Sequence, residues 1–439
     1  MAVSKGKLAW LSAIIWIFVI VTTFCTTAGS RGQSETLLAP NIPIPKMFFG
    51  MHIHHLFTGS SVVTPWPAVP FSCWRLWDSY VTWANLEPEK GKWNFATLDK
   101  YVDIAEQHHV EILLTLSWTP QWASARPQER EYGPLGAAAE PQKMADWQEY
   151  VRTVATRYKG RIHDYEIWNE PNSKGFYTGT IPQLVQIAGA AYTTLKLVDP
   201  HVTVTSPPCA GPEGVGWLDE YLRAGGGRYA DVIGYHFYVN SEPPEQMVPL
   251  IHQVEQTMQK NGVGEKPLWD TETGWAIQNN QNTVKPAGKH GVASIVLAPD
   301  MAAAYLARAY VLSWASGASR LYWYAWDNGV MGLVDRDGKT LKSPALAYGQ
   351  VENWLVGATM TSCMADSADT WTCAITRPGG YRGWIMWNPN ATKSLVSFRI
   401  PGSWHVGRVR DLVGHEAKVE PGASVDISVM PHLLETSGH

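Results

Sequence analysis

The chain has 439 residues, of which 45% are apolar and 17% are charged, and its formal net charge is -4. This length exceeds that of one small domain and suits a large barrel with an accessory unit, whose core the apolar residues can fill. The small negative charge gives no reason to expect nucleic acid as a partner.

The N-terminus has the pattern of an export signal. Lys5 and Lys7 precede an uncharged run from Leu8 to Ala28, with small residues near its end. We therefore expect residues 1–30 to be a cleaved signal peptide, with an uncleaved membrane anchor as the alternative, because about twenty apolar residues span a bilayer. Either outcome predicts a secreted, periplasmic or cell-envelope protein, which touches a membrane only through that anchor.

From residue 47 onward, short apolar segments alternate with helical segments, which is the pattern of βα units around a parallel sheet. The predicted strands are Phe48–His52, Ser72–Leu76, Ile112–Ser117, His163–Trp168, Val202–Ser206, Val232–Phe237, Pro267–Thr271 and Arg320–Ala325. Between them, helices are predicted at Thr97–His108, Lys143–Tyr158, Ile181–Val198 and Met301–Ser316. Eight alternations indicate a (β/α)8 TIM barrel over residues 31–343, with the active site at the C-terminal ends of the strands.

Two connections are long, residues 119–141 after the third predicted strand and residues 276–299 after the seventh. Both would lie at the rim of the active site, where long loops are more often functional than idle. Their sequences do not identify a ligand.

Residues 344–439 have short strands separated by Gly, Pro and Asn turns, which predicts an accessory β-sandwich to which residues 36–45 could contribute. The predicted strands are Trp371–Thr376, Gly383–Trp387, Ser394–Ile400, His405–Asp411 and Ser424–Val429. Cys363 and Cys373 flank a polar turn and could staple a hairpin in an oxidising compartment. Cys73 and Cys209 lie in apolar segments and are expected to be buried free thiols.

Two glutamates stand at the ends of two predicted strands. Glu170 follows the fourth strand in Trp168-Asn169-Glu170-Pro171, and Glu272 follows the seventh. Two such carboxylates are what a retaining glycosidase needs, one as acid/base and one as nucleophile. Asp270 shares a side of its strand with Glu272 but lies farther from the C-terminal end, so we interpret it as a hydrogen-bonding or ion-pairing group inside the barrel.

Three further strand residues could support these carboxylates. Arg75, on the second strand, needs a carboxylate partner if buried, and Glu272 is the natural candidate because the pairing would keep it ionised. His236 and Tyr238 close the sixth strand, and either could hydrogen-bond the nucleophile. A histidine that simply satisfies its partners in the core is an equally good interpretation of His236.

Other polar and aromatic residues at strand ends are candidates for binding sugar. The chain has 22 tryptophans, and indole rings stack on sugars, although many of them will fill core. Trp326, at the end of the eighth strand, could form the floor of a subsite. Asn169 could donate its amide to a 2-hydroxyl, or form an Asx turn. His52, His54 and His55 suggest a metal site only weakly, since no local carboxylate accompanies them, and we expect contacts to sugar hydroxyls instead.

The Trp168-Asn169-Glu170-Pro171 motif, together with Glu272, resembles the signature of the clan A glycoside hydrolases, and within that clan the chain most resembles family 39 and its relatives. Residues 83–94 and 117–124 are similar to the segments that follow strands two and three in that family, which adds Trp118 as a substrate contact. The family also carries an accessory β-sandwich.

The resemblance implies that Glu170 is the acid/base and Glu272 the nucleophile of a retaining hydrolysis of β-glycosidic bonds, with no metal or organic cofactor. The implied partner is a carbohydrate, and polysaccharide degradation outside the cell is the expected role. The family includes β-xylosidases, α-L-iduronidases and endo-acting enzymes, so membership does not name the sugar. A cell-wall transglycosidase with the same carboxylates is the first alternative. A non-catalytic carbohydrate-binding barrel is the second, which the presence of both glutamates disfavours.

Overall fold

The computed structural model describes residues 36–57, 63–280, 295–392, 395–420 and 422–436. The predicted signal peptide or anchor at residues 1–30 lies outside these ranges. Within them, no helix is both long enough and apolar enough to cross a membrane.

Eight parallel strands form the central sheet, and each of them overlaps one of the eight predicted strands. In chain order they are β1 Phe49–Met51, β2 Cys73–Leu76, β3 Glu111–Leu116, β4 Asp164–Ile167, β5 Thr203–Thr205, β6 Ile233–His236, β7 Leu268–Thr273 and β8 Arg320–Trp323. The sheet order is β5-β4-β3-β2-β1-β8-β7-β6, followed by the two-residue strand Cys209–Ala210, which continues the β5 segment.

The two ends of this order meet. Cys209–Ala210 pairs with β6, and a parallel bridge between Thr205 and Val232 joins β5 to the residue just before β6. The sheet therefore curls round into a barrel, so that the C-terminal ends of all its strands face the same side.

Helices connect the strands and cover the outside of the sheet. They are α1 Trp83–Leu86, α2 Ala96–Gln107, α3 Met144–Arg157, α4 Ile181–Val198, α5 Gly214–Arg223, α6 Met247–Lys260, α7 Pro299–Ala315 and α8 Ser343–Leu355. The longest, α4, begins with a capping box in which Thr180 and Gln183 satisfy each other's backbone N–H groups. The last helix, α8, packs against α7. It follows the eighth strand of the barrel and begins at Ser343, at the boundary that the sequence predicts between the barrel and the accessory domain.

Beyond α8 the chain forms two antiparallel sheets, of seven and two strands. The larger has the order Thr36–Leu37, Thr359–Ala365, Trp371–Arg377, Tyr381–Trp387, His432–Thr436, Val406–Arg410 and Glu416–Lys418, and the smaller pairs Val396–Arg399 with Ser424–Ile427. Side chains from both sheets share an apolar cluster that includes Trp384, Leu434 and Ile427. The N-terminal strand Thr36–Leu37 joins the larger sheet, as the sequence suggested for residues 36–45.

The predicted disulfide is present. Cys363 and Cys373 face each other across adjacent strands and are bonded. Cys73 and Cys209 are buried free cysteines in the described part of the chain, as predicted.

The two long rim segments differ in how much of each is described. Residues 119–141 are described throughout, and Arg126 holds them by donating to both oxygens of Glu140, at 2.9 and 2.7 Å, and to Thr178 at 2.7 Å. In the second segment, Ala276–Ile277 pairs with Val296–Leu297, and residues 281–294 lie outside the described ranges. The first long loop is therefore tied firmly to the barrel wall.

Candidate active site

Glu170 lies in the turn that follows β4. The backbone turns sharply here, because Trp168 and Glu170 both adopt left-handed conformations, with φ of 63° and 41°. The indole N–H of Trp168 donates to the carbonyl of Phe176 at 2.9 Å and anchors the turn. As a result, the Glu170 side chain reaches the open end of the barrel, and 14% of it is exposed.

Glu272 is the penultimate residue of β7, which runs to Thr273. The sequence predicts that the strand ends at Thr271, but pairing between β7 and β8 continues to Thr273 and Trp323. Glu272 therefore stands on the strand itself and is held by its backbone, with 9% of its side chain exposed.

The two carboxylates converge at the mouth of the barrel. An oxygen of Glu170, an oxygen of Glu272 and a ring nitrogen of His236 all lie within 4.8 Å of one another. The strand-end positions predicted from the sequence are thus brought together by the barrel.

Arg75 is the buried hub beneath this pair. Its Nη1 donates to Glu272 at 2.7 Å, as predicted. Its Nε donates to Glu166 at 2.7 Å and its Nη2 to the side-chain oxygen of Asn169 at 2.8 Å. Glu166 was not identified from the sequence, although the two-residue period of β4 places it on the face opposite Tyr165. The guanidinium therefore fixes the positions of three side chains. One is on β7, one is on β4, and one lies in the turn that follows β4.

His236 and Tyr238 serve different carboxylates. The Tyr238 hydroxyl donates to Glu272 at 2.9 Å, as one of the predicted options. His236 instead pairs with Glu170, through Nδ1 at 2.8 Å from Oε1. Of the two residues that the sequence offered as partners for Glu272, the structure thus gives Tyr238 that contact, whereas the turn after β4 brings Glu170 over the end of β6 to meet His236.

Burial dominates the electrostatics of the site. Burial raises the pKa of Glu170 to about 7, against the positive charge of Arg75. Burial also raises the pKa of Glu272 to about 7, opposed by His236 and Arg75 and reinforced by the negative charge of Glu170. Burial lowers the pKa of His236 to about 4, so this ring is neutral near pH 7.

The two carboxyls share one proton near neutral pH, because like charges this close cannot both ionise cheaply. Glu272 receives two donors, the Arg75 guanidinium at 2.7 Å and the Tyr238 hydroxyl at 2.9 Å. Among the residues that the structure describes, the Glu170 carboxyl has a hydrogen-bond contact only with neutral His236, at 2.8 Å. Hydrogen bonds to an ionised carboxylate favour ionisation, so the shared proton resides on Glu170.

The histidines after β1 are held by distant residues. His52 is fully buried, and its Nε2 lies 3.1 Å from the carbonyl oxygen of Thr271. The backbone N–H groups of His54 and His55 both donate to the carboxylate of Asp327, at 2.8 Å each. Asp327 supplies the carboxylate that is missing from the local sequence, but its hydrogen bonds go to backbone N–H groups, and the Nδ1 of His54 lies 4.0 Å from it.

Aromatic side chains form one wall of the mouth. Trp118 contacts Trp77 and the loop residue Tyr132, with ring centroids 5.0 and 5.8 Å apart. Tyr132 is 45% exposed at the rim. Trp326, after β8, is 2% exposed, and its indole N–H has no partner among the described residues. Loop 119–141 thus contributes directly to the wall beside the carboxylates.

Asp78 and Tyr324 belong to the site and were missed in the sequence. The Tyr324 hydroxyl donates to Asp78 at 3.0 Å, and the charge of Asp78 contributes to raising the pKa of both Glu170 and Glu272. Asp78 comes three residues after Arg75, just past the end of β2, and this position was the available signal.

Solved structures with the same fold include glycoside hydrolases of family 39. The structure of a family 39 glycoside hydrolase from Bacteroides cellulosilyticus WH2 superposes with a TM-score of 0.69 at 19% identity, covering 91% of this chain and 83% of that chain. A GH39 β-xylosidase from Caulobacter crescentus gives a TM-score of 0.65 at 16% identity, covering 91% and 98%. The fold is therefore shared with glycoside hydrolases of family 39.

The sequence itself makes the assignment more specific. The family model described as "Glycosyl hydrolases family 39" matches residues 75–370, and the chain belongs to this family. The predicted resemblance to family 39 is confirmed.

Curated relatives match over shorter stretches. A β-xylosidase from Geobacillus stearothermophilus is 23% identical over 210 residues, 41% of this chain and 40% of that protein. Endo-1,4-beta-xylanase C from Paenibacillus barcinonensis is 29% identical over 94 residues, 20% of this chain and 8% of that protein. The matches thus span less than half the length of either relative.

Proposed function

We propose that the protein is a retaining glycosidase that cleaves β-glycosidic bonds in an extracellular oligo- or polysaccharide, with Glu170 as acid/base and Glu272 as nucleophile. The observation that carries the proposal is the pair of carboxylates with oxygens within 4.8 Å, one bound by Arg75 and the other not. Retaining enzymes hold their carboxyls ~5 Å apart, whereas inverting enzymes leave ~6.5–9.5 Å for a water molecule.

In the first step, ionised Glu272 attacks the anomeric carbon, and the glycosidic C–O bond breaks as neutral Glu170 protonates the departing oxygen. The product is a glycosyl ester on Glu272 and a free alcohol. Asn169 faces this reaction with its Nδ2 group, which has no partner in the described ranges while its oxygen is bound by Arg75. That amide is the group we assign to the sugar's 2-hydroxyl.

In the second step, Glu170, now ionised, takes a proton from water as the water oxygen attacks the anomeric carbon and the ester bond breaks. Esterification removes the negative charge of Glu272, and a carboxyl beside a neutral ester ionises more readily than one beside a carboxylate. The change in charge therefore helps the same group to act first as acid and then as base.

A cation site is the competing use of Glu170, His236 and Glu272, because their oxygen and nitrogen atoms are close enough to hold an ion. Arg75 argues against it. Its Nη1 already lies 2.7 Å from Glu272, and a metal ion placed there would be repelled by the guanidinium.

We further propose xylose-containing β-glycosides as the first substrates to test, since relatives matched in sequence are a β-xylosidase and endo-1,4-beta-xylanases. Export is proposed on the pattern of residues 1–30. The C-terminal antiparallel sheets are proposed to be an accessory β-sandwich, supported by their shared apolar cluster.

The test is hydrolysis of a panel of nitrophenyl β-glycosides by the protein without residues 1–30. Glu272→Ala should lower activity by at least ~10³-fold, and azide should restore turnover with release of an α-glycosyl azide, since azide replaces the missing nucleophile. The matched control is Asp270→Asn, because Asp270 lies two residues away on the same strand.

The Asp270→Asn protein should retain the reaction without azide. Azide rescue at Asp270 in place of Glu272 would contradict the assignment of the nucleophile. If the whole nitrophenyl panel is silent, β-linked xylan is the next substrate, and silence there as well would contradict the proposed activity.

A further inference from the structure

A pocket of about 260 Å³ lies where the end of α8 meets the larger antiparallel sheet. Three arginines line it together with two aromatic rings and one carboxylate, and these six residues are Arg377, Arg408, Arg410, Trp354, Tyr381 and Glu435. A pocket of this size suits a single sugar-sized group.

This pocket is separate from the candidate active site. The chain just after α8 is bound to the segment that enters β1, since Gly357 donates its N–H to the carbonyl of Ile44 at 2.8 Å. Ile44 precedes β1, so this end of α8 lies near the N-terminal ends of the barrel strands. Glu170 and Glu272 stand at the opposite, C-terminal ends.

The arginines keep free hydrogen-bond donors after all of their internal contacts are counted. Arg408 and Arg410 share a face of their strand, and their Nε atoms lie 2.6 and 2.7 Å from Glu435. Glu416 accepts a hydrogen bond from Arg408 Nη1 at 3.1 Å and lies 3.0 Å from Arg410 Nε as an ion pair. Both Nη groups of Arg410 and the Nη2 of Arg408 have no partner within the described residues.

Arg377 also engages only part of its guanidinium in internal hydrogen bonds. Its Nη2 donates to the carbonyls of Asn353, Trp354 and Val356 at the end of α8, which ties the sheet to the helix. The remaining Nε and Nη1 groups have no acceptor in the part of the chain that the structure describes. The guanidinium carbon lies 5.0 Å from the ring centre of Tyr381, so the ring helps to hold it beside the pocket.

A buried indole forms part of the pocket wall. Trp354 lines the pocket and is 1% exposed, and its backbone carbonyl accepts from Arg377 at 3.0 Å.

The charges favour an anion with one negative charge. Three guanidinium groups face two carboxylates, Glu435 and Glu416, which leaves one positive charge without a counterpart. A planar carboxylate also matches the forked N–H groups of arginine. A doubly charged phosphate would overcompensate the one free charge.

We propose that this pocket is a second, non-catalytic binding site for the carboxylate of an acidic sugar, such as a uronic acid residue of a polysaccharide. It would hold an acidic branch or chain on the side of the barrel away from the carboxylate pair. The site stands on Arg377, Arg408 and Arg410 and does not depend on the reaction proposed for Glu170 and Glu272.

The test is calorimetric titration of the whole protein with sodium glucuronate, glucose and inorganic phosphate. Glucuronate should bind, glucose should give no heat, and phosphate should bind more weakly than glucuronate. Arg410→Gln should weaken glucuronate binding at least tenfold, because it removes the free Nη donors. The matched control is Arg399→Gln, which removes an exposed arginine from the smaller sheet.

Thermal unfolding of each variant checks the fold, and Arg408→Gln is the second variant if Arg410→Gln does not fold. Equal binding of glucose and glucuronate, or tighter binding of phosphate, would overturn the assignment of the ligand. Glucuronate binding that survives Arg410→Gln and Arg408→Gln but is lost in Glu272→Ala would place the ligand in the active site and overturn the proposal. Loss of hydrolysis in Glu272→Ala with unchanged glucuronate binding is the expected combination.

Discussion

Arg75 carries more of the site than any other single residue, because one buried guanidinium serves Glu166, Glu272 and Asn169 at 2.7–2.8 Å. A lysine has one compact charge and lacks the planar fork, so it cannot satisfy three partners at once. Lysine in place of Arg75 would keep one positive charge but would leave the fully buried Glu166 with fewer hydrogen-bond donors.

Arg75→Lys should therefore destabilise the fold by about 1.5–3 kcal/mol, the usual value of a hydrogen bond to a charged group. It should also move the acid limb of the activity profile to higher pH, because one ammonium group cannot stay as close to Glu272 as Arg75 Nη1 does and so opposes the rise of the Glu272 pKa less. Denaturant unfolding and pH–rate profiles measure the two effects. Arg152→Lys, in an exposed pair with Glu149, is the control and should change neither. Wild-type stability in Arg75→Lys would refute the role of the hub.

The protonation of Glu170 predicts how the rate depends on pH. Its pKa is raised to about 7 by burial, so the proton needed for the first step is present below pH 7 and lost above it. On glycosides with poor leaving groups, kcat/KM should fall about tenfold per pH unit above that value. Activated aryl glycosides need little protonation, so Glu170→Gln should still cleave them. Its rate on them should fall less at alkaline pH than the wild-type rate on poor leaving groups does. An identical loss on both substrate types would argue against the acid role.

The raised pKa of Glu170 also predicts how the stability of the fold depends on pH. A carboxyl whose folded pKa is raised stabilises the fold when protonated, and this contribution is lost as pH rises from its unfolded value to about 7. Glu170→Gln removes the titration. Its melting temperature should exceed that of the wild type at pH 8 by more than it does at pH 4, as measured by thermal unfolding at both values.

At the scale of single elements, the turn between Thr359–Ala365 and Trp371–Arg377 is closed by the disulfide. Cys363 and Cys373 are ten residues apart and occupy facing positions of the two strands. Such a bond stabilises a fold mainly by restricting the unfolded chain, and a loop of this length contributes about 2–3 kcal/mol.

Replacing both cysteines by alanine should lower the melting temperature of the protein, and a reductant should lower that of the wild type by a similar amount. Calorimetric scans with and without reductant measure this. Cys209→Ser is the comparison, since Cys209 is a free thiol and its variant should keep its sensitivity to reductant. If reductant leaves the wild type unchanged, the disulfide does not stabilise the native protein.

At the scale of the whole molecule, the barrel and the C-terminal sheets are linked by polar contacts as well as by Arg377. The indole N–H of Trp387, in the larger sheet, donates to Glu245 at 2.7 Å, and Glu245 lies in the connection between β6 and α6. Buried Arg308, on α7, lies 3.3 Å from the same carboxylate. The three residues join the sheet to two parts of the barrel.

Trp387→Phe should cost about 1.5–3 kcal/mol, the usual value of a hydrogen bond to a charged group. It should also loosen the coupling between the two parts, so that thermal unfolding separates into two transitions. Trp404→Phe is the control, because Trp404 packs on Trp384 within the sheets. A single unshifted transition in Trp387→Phe would contradict the proposed link.

Much of the fold could be predicted from the sequence, because its signals are local. The alternation of apolar strands and helices located all eight barrel strands, and Ile181–Val198 was predicted to the residue. Three strands of the larger sheet were missed, Thr359–Ala365, Glu416–Lys418 and His432–Thr436. Glu416–Lys418 is exposed along its whole length, so it has no apolar alternation to recognise, and only its pairing with Val406–Arg410 makes it a strand.

The candidate active site also has a part that the sequence predicts and a part that only the tertiary structure gives. Glu170 and Glu272 could be located by their strand-end motifs, and Arg75 could be paired with Glu272 because a buried charge demands a partner. The pairing of His236 with Glu170 joins residues 66 apart, that of Arg75 with Glu166 residues 91 apart, and that of His54 with Asp327 residues 273 apart. No local pattern encodes these contacts, since they depend on the register of neighbouring strands.

The amino-acid sequence alone therefore determined the kind of fold, the family resemblance and the two carboxylates, because periodicity and short motifs are properties of consecutive residues. The tertiary structure decided which carboxylate keeps the proton, since that depends on how far Arg75, Tyr238 and His236 lie from each of them. It also decided where three arginines from two strands form one pocket at the end of α8. Distances between side chains from different strands arise only when the sheet closes.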